Sequence, residues 1–155
     1  MPSIYKIILI ILLTSGCGFK VINQINSQNF SINALETEGD KKIGYLIKNK
    51  LLIKTKQNSE NKININIIAN KNKTIKEKNT KNEITKYLIT VNLDIKVEKN
   101  NKILKEFKVS NQSDFNVSAQ YSQTIVNENE TITLITDSLI SKITRELTLI
   151  NFNDL

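Results

Sequence analysis

The side chains that could do chemistry in this chain are few, and they narrow its possible functions. Its 155 residues include one cysteine, Cys17, and no histidine. Without an imidazole there is neither a histidine general base nor a Ser-His or Cys-His pair. Metal sites built on histidine or cysteine clusters are excluded for the same reason, and four glycines form no phosphate-binding loop. We therefore expect no enzymatic activity, no metal and no cofactor.

Carboxylates are the remaining candidates for acid–base work. Asp94, Glu98 and Glu106 fall on the polar positions of predicted strands, where they could meet on one sheet face. The same face carries lysines, so we interpret the three carboxylates as solvated charges beside lysines and assign them no catalytic role.

The position of Cys17 suggests a different chemistry for its thiol. Lys6 supplies a positive charge, the seven apolar residues Ile7–Leu13 follow, and the small residues Thr14–Gly16 come directly before the cysteine. This order is typical of a bacterial export signal, and seven apolar residues are too few to span a bilayer as a helix. It resembles the lipobox of bacterial lipoproteins, in which the cysteine is acylated and becomes the first residue of the mature chain. One departure is Thr14, where the lipobox usually has leucine.

We accordingly predict a signal peptide over residues 1–16, a lipidated tether over 17–28 and one folded domain over 29–150. Several acyl chains on Cys17 would give a stable anchor, whereas a single chain binds membranes only marginally. Gly18 favours the outer membrane, because an aspartate there favours inner-membrane retention in the lipoproteins it resembles. The alternatives are an ordinary signal peptide with a chance cysteine, or a buried core helix.

Five lysines close together form the best candidate binding site. The net charge is +7, and Arg145 is the only arginine among 22 basic residues. Ammonium groups attract phosphates as point charges, so a phosphate-bearing ligand fits this cluster; the alternative is a solvated loop in a lysine-rich protein. A nucleic-acid partner is disfavoured, because the lysines lie on predicted loops with little aromatic interleaving. The five lysines are Lys71, Lys73, Lys76, Lys78 and Lys81.

The first half of the domain must position these lysines, and its pattern predicts a strand, a helix and a second strand. Phe30, Ile32 and Ala34 alternate with polar residues, which is typical of a strand. Asp40 is the predicted N-cap of a helix whose apolar positions recur every three or four residues, despite a central Gly44. Alternation returns over residues 63–68. The polar segment 70–82 is predicted to end that strand, form a long hairpin tip and begin the next strand.

The second half predicts two more strands and a long helix. Residues 87–97 alternate without a break, which indicates a strand with one buried face. A turn at Asn100-Asn101 follows, and apolar residues then continue on odd positions, which requires an odd-length loop or a bulge. Residues 119–147 are rich in β-branched residues, but their apolar spacing of three or four predicts a helix. The predicted stripe is Tyr121, Ile125, Glu128, Ile132, Ile135, Leu139, Ile143 and Leu147.

These elements give the order β-α-β-β-β-α. One apolar sheet face and one apolar stripe on each helix are most simply buried against each other. The sequence therefore predicts an α+β fold, a two-layer sandwich of a four-stranded, mostly antiparallel sheet with two helices on one face.

Ordered features of this pattern resemble the LPS-assembly lipoprotein family LptE. They are "CGFKV" from Cys17 after the lipobox, the tyrosine-led strand "KYLITVNLDIKV" from Lys86, the strand end "VSNQSDFNVS" from Val109, and an amphipathic helix ending at Leu147. The resemblance implies a lipoprotein that plugs and helps assemble the outer-membrane β-barrel (LptD-like) that inserts lipopolysaccharide, with an added ability to bind lipopolysaccharide and no catalysis.

Lipopolysaccharide carries phosphates, so the five lysines are its predicted contacts on the grounds of charge and position alone. The alternative functions are a lipid-anchored auxiliary subunit of another envelope transporter and a tethered structural protein of the envelope.

Overall fold

The computed structural model of the chain describes residues 30–54 and 59–152. The predicted signal peptide, Cys17 and the tether lie outside the described residues. The elements are β1 (Ser31–Gly39), α1 (Lys41–Lys54), β2 (Lys62–Lys78), β3 (Ile84–Lys99), β4 (Lys102–Asn116) and α2 (Tyr121–Thr148). The predicted element order is confirmed.

The four strands form one sheet in the spatial order β1-β2-β3-β4. β1 runs parallel to β2, with α1 as the crossover, and the β2–β3 and β3–β4 pairs are antiparallel. The odd-numbered side chains from Ile63 to Ala69 on β2 and from Ile89 to Val97 on β3 are buried beneath the two helices. The predicted α+β two-layer sandwich is therefore confirmed. The apolar side chains that the sheet contributes to this core include Leu35, Ile63, Ile65, Ile67, Ala69, Ile89, Val91, Leu93, Ile95 and Val97.

Asp40 begins α1 as predicted. Its Oδ1 accepts a hydrogen bond from the Ile43 amide at 3.0 Å, which satisfies one of the free N–H groups of the first turn. Gly44 has a packing role, since a Cβ added there would lie 2.9 Å from Thr37 Oγ1 on β1. The glycine that weakens the helix by propensity therefore lets α1 approach the sheet.

The hairpin between β2 and β3 differs from its prediction. The polar segment predicted as a long tip is strand as far as Lys78, and β3 begins at Ile84. The prediction relied on apolar alternation, which ends at Ala69, whereas backbone pairing with β3 continues from Asn70 opposite Asn92 to Lys78 opposite Ile84.

A bulge resolves the register conflict between β3 and β4. Asn100 and Asn101 both have positive φ, 52° and 62°, as a two-residue type I′ turn requires. Leu104 is then an extra residue on β4, because Glu98 pairs with Ile103 and Val97 with Lys105. The bulge restores odd-to-odd pairing, and the sequence prediction of such an irregularity is confirmed.

A second bulge, in β1, changes which side chains face the core. The register shifts between Ile32 and Ala34, so Leu35 becomes the buried apolar residue of this strand, at 5% exposure. The predicted continuation of the apolar face through Ala34 is therefore wrong, since the alternation of Phe30 and Ile32 does not pass the bulge.

α2 agrees closely with the predicted range, but the first turns of its predicted stripe do not. Tyr121 and Ile125 are 79% and 41% exposed, while Thr124 is buried. The Thr124 hydroxyl is satisfied by Ser118, accepting from its amide at 2.9 Å. Among the described residues, no helix combines the length and apolar character needed to cross a membrane.

Candidate functional site

The side of the sheet opposite the helices is a broad polar surface of the described domain, and we call it the open face. It consists of side chains whose neighbours along each strand point into the core. Two rows across the four strands show its character: Glu36, Asn66, Lys96 and Glu106 in one, and Glu38, Ile68, Asp94 and Lys108 in the next.

Next to these charged rows, on the side towards the hairpin, two rows of the open face are uncharged. Amide and hydroxyl side chains lie opposite one another across three strands, in the rows Asn70, Asn92, Ser110 and Asn72, Thr90, Gln112. These groups both donate and accept hydrogen bonds. This part of the surface can therefore bind water or the polar groups of a partner without a requirement for one sign of charge.

A shallow depression of about 430 Å³ lies on the charged part of the open face. Ile68 lines it and is 45% exposed, a large apolar side chain among polar and charged neighbours. The sequence predicts a polar face here, although the same alternation sets Ile68 on this side with Asn64 and Asn66. The doublet Ile67-Ile68 is the signal for an apolar contact on this face, because two consecutive side chains of a strand must point to opposite faces.

The three candidate carboxylates lie on the open face, and two of them are held by lysines. Asp94 Oδ1 is 3.0 Å from Lys108 Nζ, and Glu98 Oε1 is 2.6 Å from Lys96 Nζ. The hydrogen bond and charge of Glu98, with a smaller contribution from Glu106, raise the pKa of Lys96. The arrangement is that of solvated ion pairs, and no group of acidic side chains in the described part of the chain is arranged to hold a metal ion.

The structure divides the five candidate lysines between the two sides of the sheet. Lys71 and Lys73 point to the helix side. Lys71 Nζ lies 3.1 Å from Asp40 Oδ2, the N-cap carboxylate of α1. Burial opposes the charged form of Asp40, but the amides of Ile43 and Lys42 and the Lys71 ammonium outweigh it, so the pKa of Asp40 is below its ordinary value.

Lys73 joins the sheet to α2. Its Nζ donates to Glu128 Oε2 at 2.6 Å and lies 4.4 Å from the ring centroid of Tyr87 and 5.0 Å from that of Phe115. The two rings are stacked, with centroids 5.7 Å apart. A lysine held by a carboxylate and two aromatic faces is part of the packing of the domain.

The other three lysines lie at or near the hairpin end. Lys76 Nζ is 2.8 Å from Asp114 Oδ1, and this hydrogen bond lowers the pKa of Asp114 despite some desolvation. Lys78 Nζ donates to the Asn82 side-chain amide oxygen at 3.0 Å. Lys81 is exposed at the turn.

The turn that presents Lys78 and Lys81 is ordered by Asn79. Its Oδ1 accepts from the backbone amides of Lys81 and Glu83, both at 3.0 Å, and Asn82 takes a positive φ of 63°. The five lysines are therefore not one cluster. Two lie on the helix side, Lys76 is paired on the open face, and two are held on a compact turn.

The fold is shared with solved lipoprotein structures. A candidate lipoprotein from Caulobacter crescentus CB15 matches with a TM-score of 0.59 and 16% identity, over 80% of this chain and 89% of that one. The uncharacterized lipoprotein B from Nitrosomonas europaea matches with a TM-score of 0.55 and 16% identity, over 84% and 90%. A minor lipoprotein from Acinetobacter baumannii matches with a TM-score of 0.54 and 16% identity, over 74% and 90%.

No protein-family profile matches the chain, and no curated protein matches significantly. At 16% identity the structural matches establish a common fold. This two-layer α+β architecture is the one adopted by these lipoproteins.

Proposed function

We propose that this chain is an outer-membrane lipoprotein that assembles with and plugs the β-barrel translocating lipopolysaccharide, and so supports lipopolysaccharide insertion. In this proposal Cys17 carries the lipid anchor, the described domain is the plug and the partner is an LptD-like barrel. The protein acts by binding and has no catalytic role.

The observation that carries this proposal is the open face. A four-stranded sheet covered by helices on one side leaves the other side as a broad surface of amides, hydroxyls and mixed charges. The interior of large membrane β-barrels is polar and filled with water. A surface of this kind can lie against such a wall through hydrogen bonds and bridging waters, without the apolar contacts that obligate interfaces use.

Two further observations support the anchor. Cys17 follows an apolar run and small residues in the order of a lipobox, and the fold is shared with proteins described as lipoproteins. The domain itself begins after the predicted tether, so an acylated Cys17 would leave it whole on the periplasmic side.

The proposal also includes direct binding of lipopolysaccharide by the described domain. Of the five candidate lysines, Lys78 and Lys81 are best placed, because they are held at an exposed turn and Lys78 bonds an amide rather than a carboxylate. Lys71, Lys73 and Lys76 would each have to exchange a carboxylate partner for a phosphate of the ligand, which gives them a smaller net gain.

The test of the assembly role is a pull-down of the tagged chain from outer membranes. We expect a large β-barrel to co-purify with the native chain and the yield of assembled barrel to fall on depletion. Two variants distinguish the contribution of the anchor from that of the interface. Cys17→Ala tests the anchor, and the double variant Thr90→Asp with Asn92→Asp tests the open face. If no barrel co-purifies and barrel assembly is unchanged on depletion, the proposal fails.

The test of lipopolysaccharide binding compares two charge reversals of the same size. Lys78→Glu with Lys81→Glu should reduce lipopolysaccharide binding, whereas Lys41→Glu with Lys48→Glu, on the exposed side of α1, should not. Equal loss in both pairs would point to non-specific attraction and would remove the assignment to the turn.

The alternative is an auxiliary subunit of a different envelope transporter, or a tethered structural protein. The same pull-down distinguishes it, since recovery of an inner-membrane transporter without a barrel would favour that alternative.

A further inference from the structure

The tether enters the domain at a particular end, which we call the anchor end. Phe30 leads into β1, and the register places the start of β1 beside the start of β2 and the end of β3: Ser31 pairs with Lys62, and Asn64 pairs with Glu98. The β3–β4 turn is at this end. The last turn of α2 is there too, since Glu146 bonds Lys105 at 2.8 Å and Phe152 contacts Phe30 with centroids 6.0 Å apart.

Several large apolar side chains are exposed at or near the anchor end. Leu149 follows α2 and is 67% exposed, Ile103 follows the β3–β4 turn and is 50% exposed, and Ile53 is in the last turn of α1 and is 83% exposed. They come from three elements in both layers of the domain.

Exposed basic side chains lie among them. Lys62, Lys102 and Arg145 are exposed at this end. Arg145 lies 3.8 Å from Glu146, but that carboxylate is shared with Lys105 at 2.8 Å, and Glu98 is bridged to Lys96. Exposed Glu60 offsets one further positive charge. The balance of charge at the anchor end is therefore positive.

Exposed apolar residues alone do not select this end. At the opposite end, the far end, Tyr121 is 79% exposed, and β3 with its 16 residues separates the two ends by about 50 Å. The position of the tether determines which of the two ends lies near the membrane. It spans at most about 45 Å from Cys17 to Phe30 even when fully extended, so an acylated Cys17 gives the anchor end the higher effective concentration at the membrane surface.

We propose that the anchor end of the domain docks on the bilayer surface, with Leu149, Ile103 and Ile53 at the headgroup level and Lys62, Lys102 and Arg145 on anionic lipid phosphates. This inference rests on the acylation of Cys17 in the proposed function and adds a second membrane contact. An apolar group flanked by basic side chains is the combination that binds membrane interfaces. Outside the barrel, this contact fixes the orientation of the domain, with the hairpin turn directed away from the bilayer.

The test uses the full acylated chain in vesicles of phosphatidylglycerol and phosphatidylcholine, with acylation of Cys17 checked by mass spectrometry. Because acylation consumes that thiol, a single introduced cysteine can carry a spin label. We expect labels at Leu149→Cys and Ile103→Cys to be shielded from a water-soluble nickel chelate and open to oxygen dissolved in the lipid. The matched control, Tyr121→Cys, carries its label on an equally exposed apolar site at the far end and should stay open to the chelate.

A charge variant tests the role of the basic side chains. Each basic residue near an anionic surface strengthens binding about fivefold, so Lys102→Gln should lower the ratio of docked to undocked domain by that factor, while Lys81→Gln at the hairpin turn should not change it. Labels at Leu149 and Ile103 as open to the chelate as the one at Tyr121, or no effect of Lys102→Gln, would overturn the docking. An unmodified Cys17 would overturn both the docking and the anchor. The vesicles hold no barrel, so failure of docking alone leaves the barrel pull-down unaffected.

Discussion

The two halves of β2 have the same backbone conformation but opposite surroundings. From Lys62 to Ala69, every second side chain is an apolar residue buried under the helices. From Asn70 to Lys78, the side chains are polar or exposed, yet the strand continues in register with β3 apart from irregularities near Glu77.

The difference shows that two separate forces make this strand. In the first half, burial of isoleucine side chains stabilises it, at roughly 1.5–3 kcal/mol for each fully buried side chain. In the second half, the backbone pairing with β3 and a few side-chain contacts with other elements stabilise the strand. Lys71, Lys73 and Lys76 make those contacts, with Asp40, Glu128 and Asp114 respectively.

The largest expected effect comes from the buried half. Ile67 is 1% exposed, and Ile67→Ala should lower the free energy of unfolding by about 2–5 kcal/mol, because it removes apolar contacts and leaves a cavity. The matched substitution in the other half, Thr74→Ala, should change it by less than about 0.5 kcal/mol. Urea unfolding followed by circular dichroism measures both. Similar losses at the two sites would contradict the contrast between the halves.

Gly39 tests the point at which the two halves meet. It has a φ of 87°, and an added Cβ would lie 2.2 Å from the carbonyl oxygen of Ala69, the last buried residue of the first half. Gly39→Ala should therefore cost about 2 kcal/mol or more, from the left-handed conformation and the backbone overlap. Thermal unfolding would show it, and Gly44→Ala, which meets only the Thr37 side chain, should cost less.

Lys73 tests whether the polar half is held by particular contacts. Lys73→Ala removes the Glu128 ion pair and the contacts with the Tyr87 and Phe115 rings, and should cost about 1 kcal/mol. Lys78 donates to the neutral side chain of Asn82 at an exposed turn, so Lys78→Ala should leave the free energy of unfolding almost unchanged. A double-mutant cycle with Glu128→Gln would isolate the ion pair, and a coupling energy of zero would place the effect in the rings.

The smallest effect expected is the pH dependence at the Asp40–Lys71 pair. The pKa of Asp40 is lowered in the folded state, so its contribution to stability is present above the ordinary value of 3.8 and is lost as the pH falls through the folded pKa. Asp40→Asn keeps a capping side chain but removes the charge. It should lower the free energy of unfolding by about 0.5 kcal/mol near neutral pH. Urea unfolding between about pH 6 and pH 3 should show a shallower decline for this variant, and an identical decline would exclude the pair as a source of it.

An element could be predicted from the sequence where its apolar spacing reflects burial of its side chains. The helix over residues 121–148 was predictable because its apolar residues recur at three or four, even though its β-branched composition favours a strand. The bulge near Leu104 was predictable from the parity of apolar residues on either side of Asn100-Asn101. The length of the β2–β3 hairpin was not, because an unburied strand carries no alternation.

The candidate lysine site was mispredicted because its segment was not recognised as a strand. The five lysines are close together in the sequence, but a strand places odd-numbered and even-numbered side chains on opposite faces. Once the segment proved to be a strand, Lys71 and Lys73 were bound to the helix layer while Lys76 lay on the open face. The open face itself was predicted as a polar surface, but the depression that Ile68 lines was not.

By itself, the sequence determined which side chains avoid water and with what period, and this was enough for the element order, the two-layer arrangement and the polar character of one sheet face. The tertiary structure decided the partners of the charges, the exposure of Tyr121 and the bulge that buries Leu35. The physical reason is the sequence separation of the residues involved. A burial pattern can be recognised from residues a few positions apart, whereas an ion pair or a bulge depends on which distant strand or helix lies alongside.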